Sequence, residues 1–360
     1  MIPHAKILLG KEEEDRVIEV LRSGMLAAGS YVHEFEQEFK NYNNSPYAIA
    51  TSSGTTALHV ILEALGIGAG DKVLTTPFSF IATANAILYS GAIPVFVDID
   101  PVSYNISPAE LEIAAKNHPD ARAVLVVHLF GLPADMSDIM AVANKHNLIV
   151  LEDCAQAHGA TYHGQKVGNF GQAAAFSFYP TKNMTAGEGG MVVTGDPAIE
   201  EKVKMLVNQG QRKWYYHEVV GYNYRMTNIH AAIGLEQLKK LEDYNESRKK
   251  HAKFYDQFIV NPQIQKPPVP PDRMHVYHQY TVRVANRDDF TNYLNANGIG
   301  YGIHYPLIIP AQPSYRNEPY GSGTWPVAEN LANSCVSIPV HPALSKSDLS
   351  AIVETINNYR

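Results

Sequence analysis

From Tyr47 onward the chain alternates short apolar runs with amphipathic stretches, and that alternation limits the folds open to it. Residues 72–76 read as a strand, 81–89 as a helix, 94–97 as a strand ending at Asp98, and 108–116 as a helix. Runs at 123–127, 139–146 and 148–151 continue the pattern. Strands that alternate with helices pair in parallel and are covered on both faces, so the expectation is an α/β fold around a mostly parallel sheet. Two lead-in helices are expected at 13–23, with Val17, Ile18 and Leu21, and at 31–40, with Phe35 and Phe39. A long helix over 228–258 carries Leu235, Leu238 and Leu241 on one face. It stops before 261-NPQIQKPPVPPDR-273, whose prolines mark a linker. A strand at 279–284 and helices at 288–297 and 347–359 follow. The expected division is a large domain, 1–260, and a smaller C-terminal α/β domain, 261–360.

Three segments carry chemistry. In 175-AFSFYPTKNMTAGEGGMVVT-194, Lys182 sits in a turn between two apolar strands, beside small residues. A lysine there is poorly solvated, so its amine deprotonates more easily and becomes nucleophilic, which a Schiff-base lysine requires. In 146-HNLIVLEDCAQAHGA-160 a buried strand ends at Glu152 and Asp153. An acid at the carboxyl end of such a strand lies where open α/β sheets bind ligands. It also suits the pyridinium nitrogen of pyridoxal phosphate, because a protonated ring is the better electron sink. A surface turn lysine and an aspartate capping the next turn would leave the same letters. The third segment, 47-YAIATSSGTTALHVILEALG-66, runs strand, turn, helix, with Ser52 or Ser53 as N-cap. Backbone N–H groups at Gly54, Thr55 and Thr56 would then offer an anion site, to which Ser177 could add a hydroxyl.

Taken together, SSGTTALH, PFSFIATANAI, VFVDIDPVSYNI, VLEDCAQAHGA, FSFYPTKNMTAGEGG and GYNYRMTNIHAAIG resemble the DegT-type (DegT/DnrJ/StrS) sugar aminotransferases, in order along essentially the whole chain. Those are pyridoxal-phosphate enzymes of the aspartate-aminotransferase fold, pyridoxal-phosphate fold type I, with a seven-stranded sheet in the large domain. The resemblance implies Lys182 as the Schiff-base lysine and Asp153 as the partner of the ring nitrogen. Gln156 would lie near the ring's phenolic oxygen, and Phe80 would stack on the ring. Gly54, Thr55 and Ser177 would bind phosphate, and Asn223 would reach it from the second subunit of a homodimer. Arg225, His304 and Tyr305 match positions that contact the sugar nucleotide or the amino donor's carboxylate in some members.

The implied reaction moves an amino group from glutamate or glutamine to a nucleotide-linked keto-sugar, in amino-sugar or polysaccharide biosynthesis. A transaminase acting on a free cyclitol ketone and a non-catalytic regulator retaining the fold are the alternatives. A dehydratase branch of the family has histidine in place of the lysine. This chain keeps Lys182, which favours transamination.

Composition narrows the rest. A net charge of −7 and no basic block longer than Arg248-Lys249-Lys250 give a nucleic-acid partner no electrostatic support. Two cysteines, Cys154 and Cys335, match neither zinc spacing nor a disulfide framework, and a reducing cytoplasm is expected. No run approaches the roughly 20 apolar residues that span a bilayer, and no basic n-region precedes an apolar core at the start. His275 and His278 lack accompanying carboxylates, so no metal is expected. The tyrosines at 215, 216, 222 and 224 suit an interface.

Overall fold

In a computed structural model, which describes all 360 residues, the alternating segments build a seven-stranded sheet. Its strands are β1 (Tyr47–Thr51), β2 (Lys72–Thr75), β3 (Ile93–Phe96), β4 (Ala121–Val127), β5 (Ile149–Asp153), β6 (Ala173–Ser177) and β7 (Gly190–Thr194). They lie in the order β1-β7-β6-β5-β4-β2-β3, and only β7 runs against its neighbours. The carboxyl ends of the parallel strands therefore share one edge. There Val127 pairs with Asp153, and Asp153 with Ala175.

The sheet is covered on both faces, as parallel strands require. On one face Phe35 and Phe39, from the helix Ser30–Asn43, meet Phe176, Phe178 and the helix Asn228–Phe258. The leucines expected to face inward do so: Leu235 and Leu241 are 2% and 0% exposed. Full burial of each contributes roughly 1.5–3 kcal/mol, and Leu241→Ala would cost about 2–5 kcal/mol through the cavity it leaves. Thr227 caps this helix by accepting from His230 N at 3.3 Å. The next residue, Asn228, ties the lead-in helices down by donating to Met25 O (2.8 Å) and accepting from Val32 N (3.3 Å). The opposite face is covered by Leu58, Ile61 and Leu62 of the helix Gly54–Ala64 and by Val203 and Leu206 of the helix Pro197–Val207.

Beyond the proline-rich stretch, β8 (Tyr280–Arg283) pairs antiparallel with β9 (Cys335–Ile338). The helices Arg287–Ala296 and Lys346–Asn358 and the end of the long helix enclose a separate core around Tyr255, Tyr280, Phe290 and Ile352. The segment between the two strands goes elsewhere. Ile308, Ile309, Tyr315, Trp325 and Leu331 pack with Phe78, Phe96 and Val127 of the large sheet's end. Asp98 explains this return: its carboxylate accepts from Val327 N and Ala328 N, both at 3.0 Å, at the start of the helix Pro326–Ser334. Trp325 Nε1 donates to Phe96 O at 3.1 Å. Residues that follow position 260 in sequence thus help wall the edge where the parallel strands of the large sheet end. No helix is long and apolar enough to cross a membrane.

Candidate active site

The common edge of the strands opens into a cleft of about 420 Å³. At one end Ser53 is the N-cap of Gly54–Ala64, accepting from Thr56 N at 3.1 Å. Thr56 Oγ1 reciprocates by accepting from Ser53 N at 3.0 Å. Thr56 is consumed by this capping box and does not line the cleft, whereas Gly54 and Thr55 do. First-turn N–H groups have no partner inside their own helix, so those two residues present open donors. Gly54 is needed sterically: a Cβ there would lie 2.7 Å from the Cβ of Ser177. This close approach sets the Ser177 hydroxyl beside the helix terminus, joining β6 to the helix that follows β1. Gly190 has the same function one strand over, since a Cβ there would meet Ser53 O at 2.3 Å.

At the centre are the two charged groups. Asp153 ends β5 with only 5% of its surface exposed. Its Oδ2 accepts from Thr83 Oγ1 at 2.8 Å and its Oδ1 from Ala155 N at 3.1 Å. Burial raises its pKa above the usual carboxylate value, opposed by those two donors and by Lys182. Lys182 lies on the loop between β6 and β7, half-buried, with its backbone N–H donated to Tyr179 O at 3.0 Å. Burial lowers its amine to about 8, and Asp153 acts in the opposite direction. The two groups face the same cleft, and no carboxylate lies within ion-pair distance of Nζ.

Around them, Gln156 is fixed at both ends of its amide. Its Oε1 accepts from Phe130 N (2.7 Å) and its Nε2 donates to the Tyr305 hydroxyl (3.0 Å). Phe80 lines the cleft with its ring 57% exposed, an unusual state for phenylalanine, and sits 6.3 Å from the Tyr305 ring. His304 Nδ1 is paired with Ser337 Oγ at 3.1 Å, and burial, reinforced by Lys182, lowers it to about 4. Gly54, Thr55, Phe80, Asp153, Gln156, Ser177, Lys182, His304 and Tyr305 therefore come together as the sequence suggested. Asn223 and Arg225 do not reach this cleft. Asn223 is exposed in a bridge with Asn208, whose Oδ1 accepts from Arg225 Nη1 at 2.9 Å.

His158, five residues after Asp153 in the chain, does not orient it: neither of its ring nitrogens has a hydrogen-bond partner. It packs on Phe176 and Phe178 instead, with its pKa lowered to about 3 by burial. Thr83 orients Asp153. Sequence reasoning missed it, together with His278 and Gln279, which also line the cleft. Thr83 is separated from Asp153 by seventy residues and sits in an ordinary-looking helix, so only the fold reveals the pairing.

The sequence pattern of the DegT/DnrJ/EryC1/StrS aminotransferase family matches residues 8–357. The chain belongs to that family. It is an aminotransferase, the activity carried in the family's name and in those of several relatives. It is 41% identical over 354 residues to a pleiotropic regulatory protein of Geobacillus stearothermophilus, covering 97% of this chain and 95% of that one. It is 40% identical over 338 residues to the UDP-N-acetyl-3-dehydro-alpha-D-glucosamine 3-aminotransferase of Acidithiobacillus ferrooxidans, covering 94% and 90% of the two chains. Among solved structures, S. venezuelae DesV in complex with a ketimine intermediate superposes with a TM-score of 0.93 at 36% identity, covering 99% and 98%. Membership in the DegT/DnrJ/EryC1/StrS family fits the observed sheet and the residues gathered at its edge.

Proposed function

We propose that this aminotransferase moves an amino group from glutamate or glutamine to a keto-sugar carried on a nucleotide, with pyridoxal phosphate held in the cleft. One observation carries the reading: a lysine amine lowered to about 8, on the loop after β6, and a doubly hydrogen-bonded carboxylate, at the end of the neighbouring β5, face one cavity. The residues fit the cofactor. Gly54, Thr55 and Ser177 form a cradle for phosphate that a side chain at Gly54 would fill. Asp153 offers an anion for a ring N–H, Phe80 a face for the ring, and Gln156 a fixed amide near its edge. Lys182 is the group to hold the aldehyde end. When bound, pyridoxal phosphate supplies the carbonyl for amine exchange and an electron sink.

The chain's own residues then have defined tasks. Lys182 Nζ, lowered to about 8 by burial, would in its neutral form take the proton from the donor's α-carbon and then give it up, on the same face, to the carbon that was the cofactor's aldehyde. Asp153 keeps a positive charge favourable beside it, and Thr83 fixes the carboxylate's orientation. Two half-reactions share one site, so ping-pong kinetics are expected. Asn223 and Arg225 complete the site from a second copy in a homodimer, which accounts for their position outside their own chain's cleft. The buried free thiols of Cys154 and Cys335 suit a reducing cytoplasm.

The test is a panel of UDP-, dTDP- and GDP-linked keto-sugars with glutamate and glutamine, read as amino-sugar product. One or more nucleotide sugars should be aminated. Turnover of a free cyclitol ketone alone would replace the substrate class. A colourless protein that takes up no pyridoxal phosphate would favour the regulatory role named for the Geobacillus relative. Mixing Lys182→Ala with Asn223→Ala subunits should restore activity in the heterodimer. No recovery after proven subunit exchange would place Asn223 outside the partner's site.

A further inference from the structure

The smaller domain's strand pair holds a short hydrogen-bond chain that ends at the cleft. Thr281 of β8 and Ser337 of β9 are direct cross-strand partners, 1% and 0% exposed. Their hydroxyl oxygens lie 3.0 Å apart. The segment bearing His304 runs along the other side of Ser337: Gly302 N donates to Ser337 O at 3.0 Å, and Ser337 N to Gly302 O at 2.8 Å. Ser337 Oγ then meets His304 Nδ1 at 3.1 Å. A Cβ at Gly302 would lie 2.4 Å from the ring's Cε1, so the glycine lets the imidazole lie against this segment.

The direction of the chain follows from its hydrogens. Thr281 Oγ1 has no hydrogen-bond partner except Ser337 Oγ, and a buried O–H without an acceptor is costly. Thr281 therefore donates to Ser337, and the Ser337 hydrogen has Nδ1 as its one remaining acceptor. If Nδ1 donated instead, either the Thr281 or the Ser337 hydrogen would be stranded in the core. Burial, reinforced by the charge of Lys182, lowers His304 to about 4, so the ring is neutral at neutral pH. A neutral ring that accepts at Nδ1 carries its hydrogen on Nε2. That nitrogen has no partner in the protein and, unlike both ring nitrogens of His158, is open to solvent, in a residue that lines the cleft.

We propose that Ser337 is a positioning residue: it holds His304 as the Nε2–H tautomer, which presents an uncharged N–H donor to substrate oxygens in the cleft. The side chains lining the cleft include no arginine, and Lys182 is their one lysine. An uncharged donor serves both the charged α-carboxylate of the amino donor and a neutral hydroxyl of the keto-sugar, with no fixed charge left unpaired in either half-reaction. The identity of those oxygens rests on the transamination proposed above. The tautomer does not.

The test begins with the wild-type holoenzyme carrying nitrogen-15 in its histidine rings, the His304 signals being identified by their loss in His304→Gln. Long-range proton–nitrogen spectra should show Nδ1 bare and Nε2 protonated at neutral pH. A protonated Nδ1 overturns the proposal whatever the kinetics show. Thr281→Val should keep the tautomer, because the Ser337 hydrogen still has only Nδ1 to reach. The double variant Thr281→Val with Ser337→Ala strands no hydroxyl and should show both tautomers. Its KM for glutamate should rise about tenfold, the scale of a hydrogen bond to a charged group, with kcat changed less. A single tautomer retained in the folded double variant, or lost already in Thr281→Val, overturns the assignment to Ser337. Mixed tautomers with an unchanged KM overturn its role toward substrate. If the double variant does not fold, Ser337→Cys, whose thiol is a weak donor, takes its place. A failure of glutamate as donor leaves the spectra unchanged, which separates this inference from the proposed reaction.

Discussion

The two faces of β5 carry adjacent carboxylates with opposite chemistry. On the covered face Glu152, fully buried, accepts from Gly168 N, Phe170 N and Gly171 N, each at 2.8 Å. His128 adds a fourth bond: its Nδ1 accepts from Ala134 N, so the hydrogen is on Nε2, which donates to Glu152 at 3.0 Å. Burial alone would raise Glu152, but these donors outweigh it and hold the carboxyl below its ordinary value. On the cleft face Asp153 has two donors, and burial wins. A carboxylate with all its acceptor sites filled is architecture. One left short of donors beside an unpaired lysine is prepared to receive a ligand. The neighbouring Cys154 completes a His128–Glu152–Cys154 group compact enough for a metal, but the saturated carboxylate and a thiol raised by burial leave it a hydrogen-bonded core.

Four measurements break or sharpen that contrast. The largest effect belongs to Lys182→Ala, which should reduce amination to background while the circular-dichroism melt stays near wild type. Substantial steady-state turnover would remove Lys182 from the chemistry. Asp153→Asn should slow the glutamate half-reaction about 100-fold, the scale of losing one electrostatic stabiliser, with smaller change in cofactor affinity. Stopped-flow absorbance reads this directly, and an unchanged rate would move the ring partner elsewhere.

Next in size is a pH effect. Only the neutral Lys182 amine is reactive, and its value of about 8 means the neutral fraction grows as pH rises. Pyridoxal phosphate uptake by the apoprotein should accelerate about tenfold per pH unit below 8 and level off above it. A plateau reached only near pH 10.5 would show that burial leaves the amine unshifted.

The smallest effect tests the other face. Glu152→Gln turns an NH2 toward a backbone donor, so it should lower stability by roughly 1–3 kcal/mol, seen as a fall in melting temperature. The rate per folded molecule should be unchanged. A slowing comparable to Asp153→Asn would erase the distinction between the two faces.

Much of this was legible in advance, for reasons that differ by residue. The long helix runs over the expected 228–258 because Thr227 caps it and its leucine face is regular. Ser53 was one of two candidate caps, and the fold selects it through Thr56. The helix Pro197–Val207 lies outside the elements expected above, although Asp196 at its N-cap and Pro197 in its first turn are the signals that mark such starts. Two-residue ribbons such as Thr161–Tyr162 with Gln165–Lys166 have no periodicity to read. The contacts that decide function, Thr83 to Asp153 and Gln156 to Tyr305, join distant elements and are consequences of sheet order. The return of residues 308–332 to the large sheet depends on Asp98 finding a helix end more than two hundred residues away.

The antiparallel strand β7 has one further consequence. Because it turns back directly beside β6, Ser177 and Gly190 form a ladder rung, and the loop bearing Lys182 begins and ends on that rung in the interior of the sheet. Phe178 N donates to Gly189 O and Ala186 N to Phe178 O, bracing its mouth at 2.9 and 3.0 Å. The loop behaves as a span bolted at both abutments, so the lysine moves by swinging its own four-carbon arm. For anyone splicing a tag or sensor into this enzyme, that span is closed to insertion.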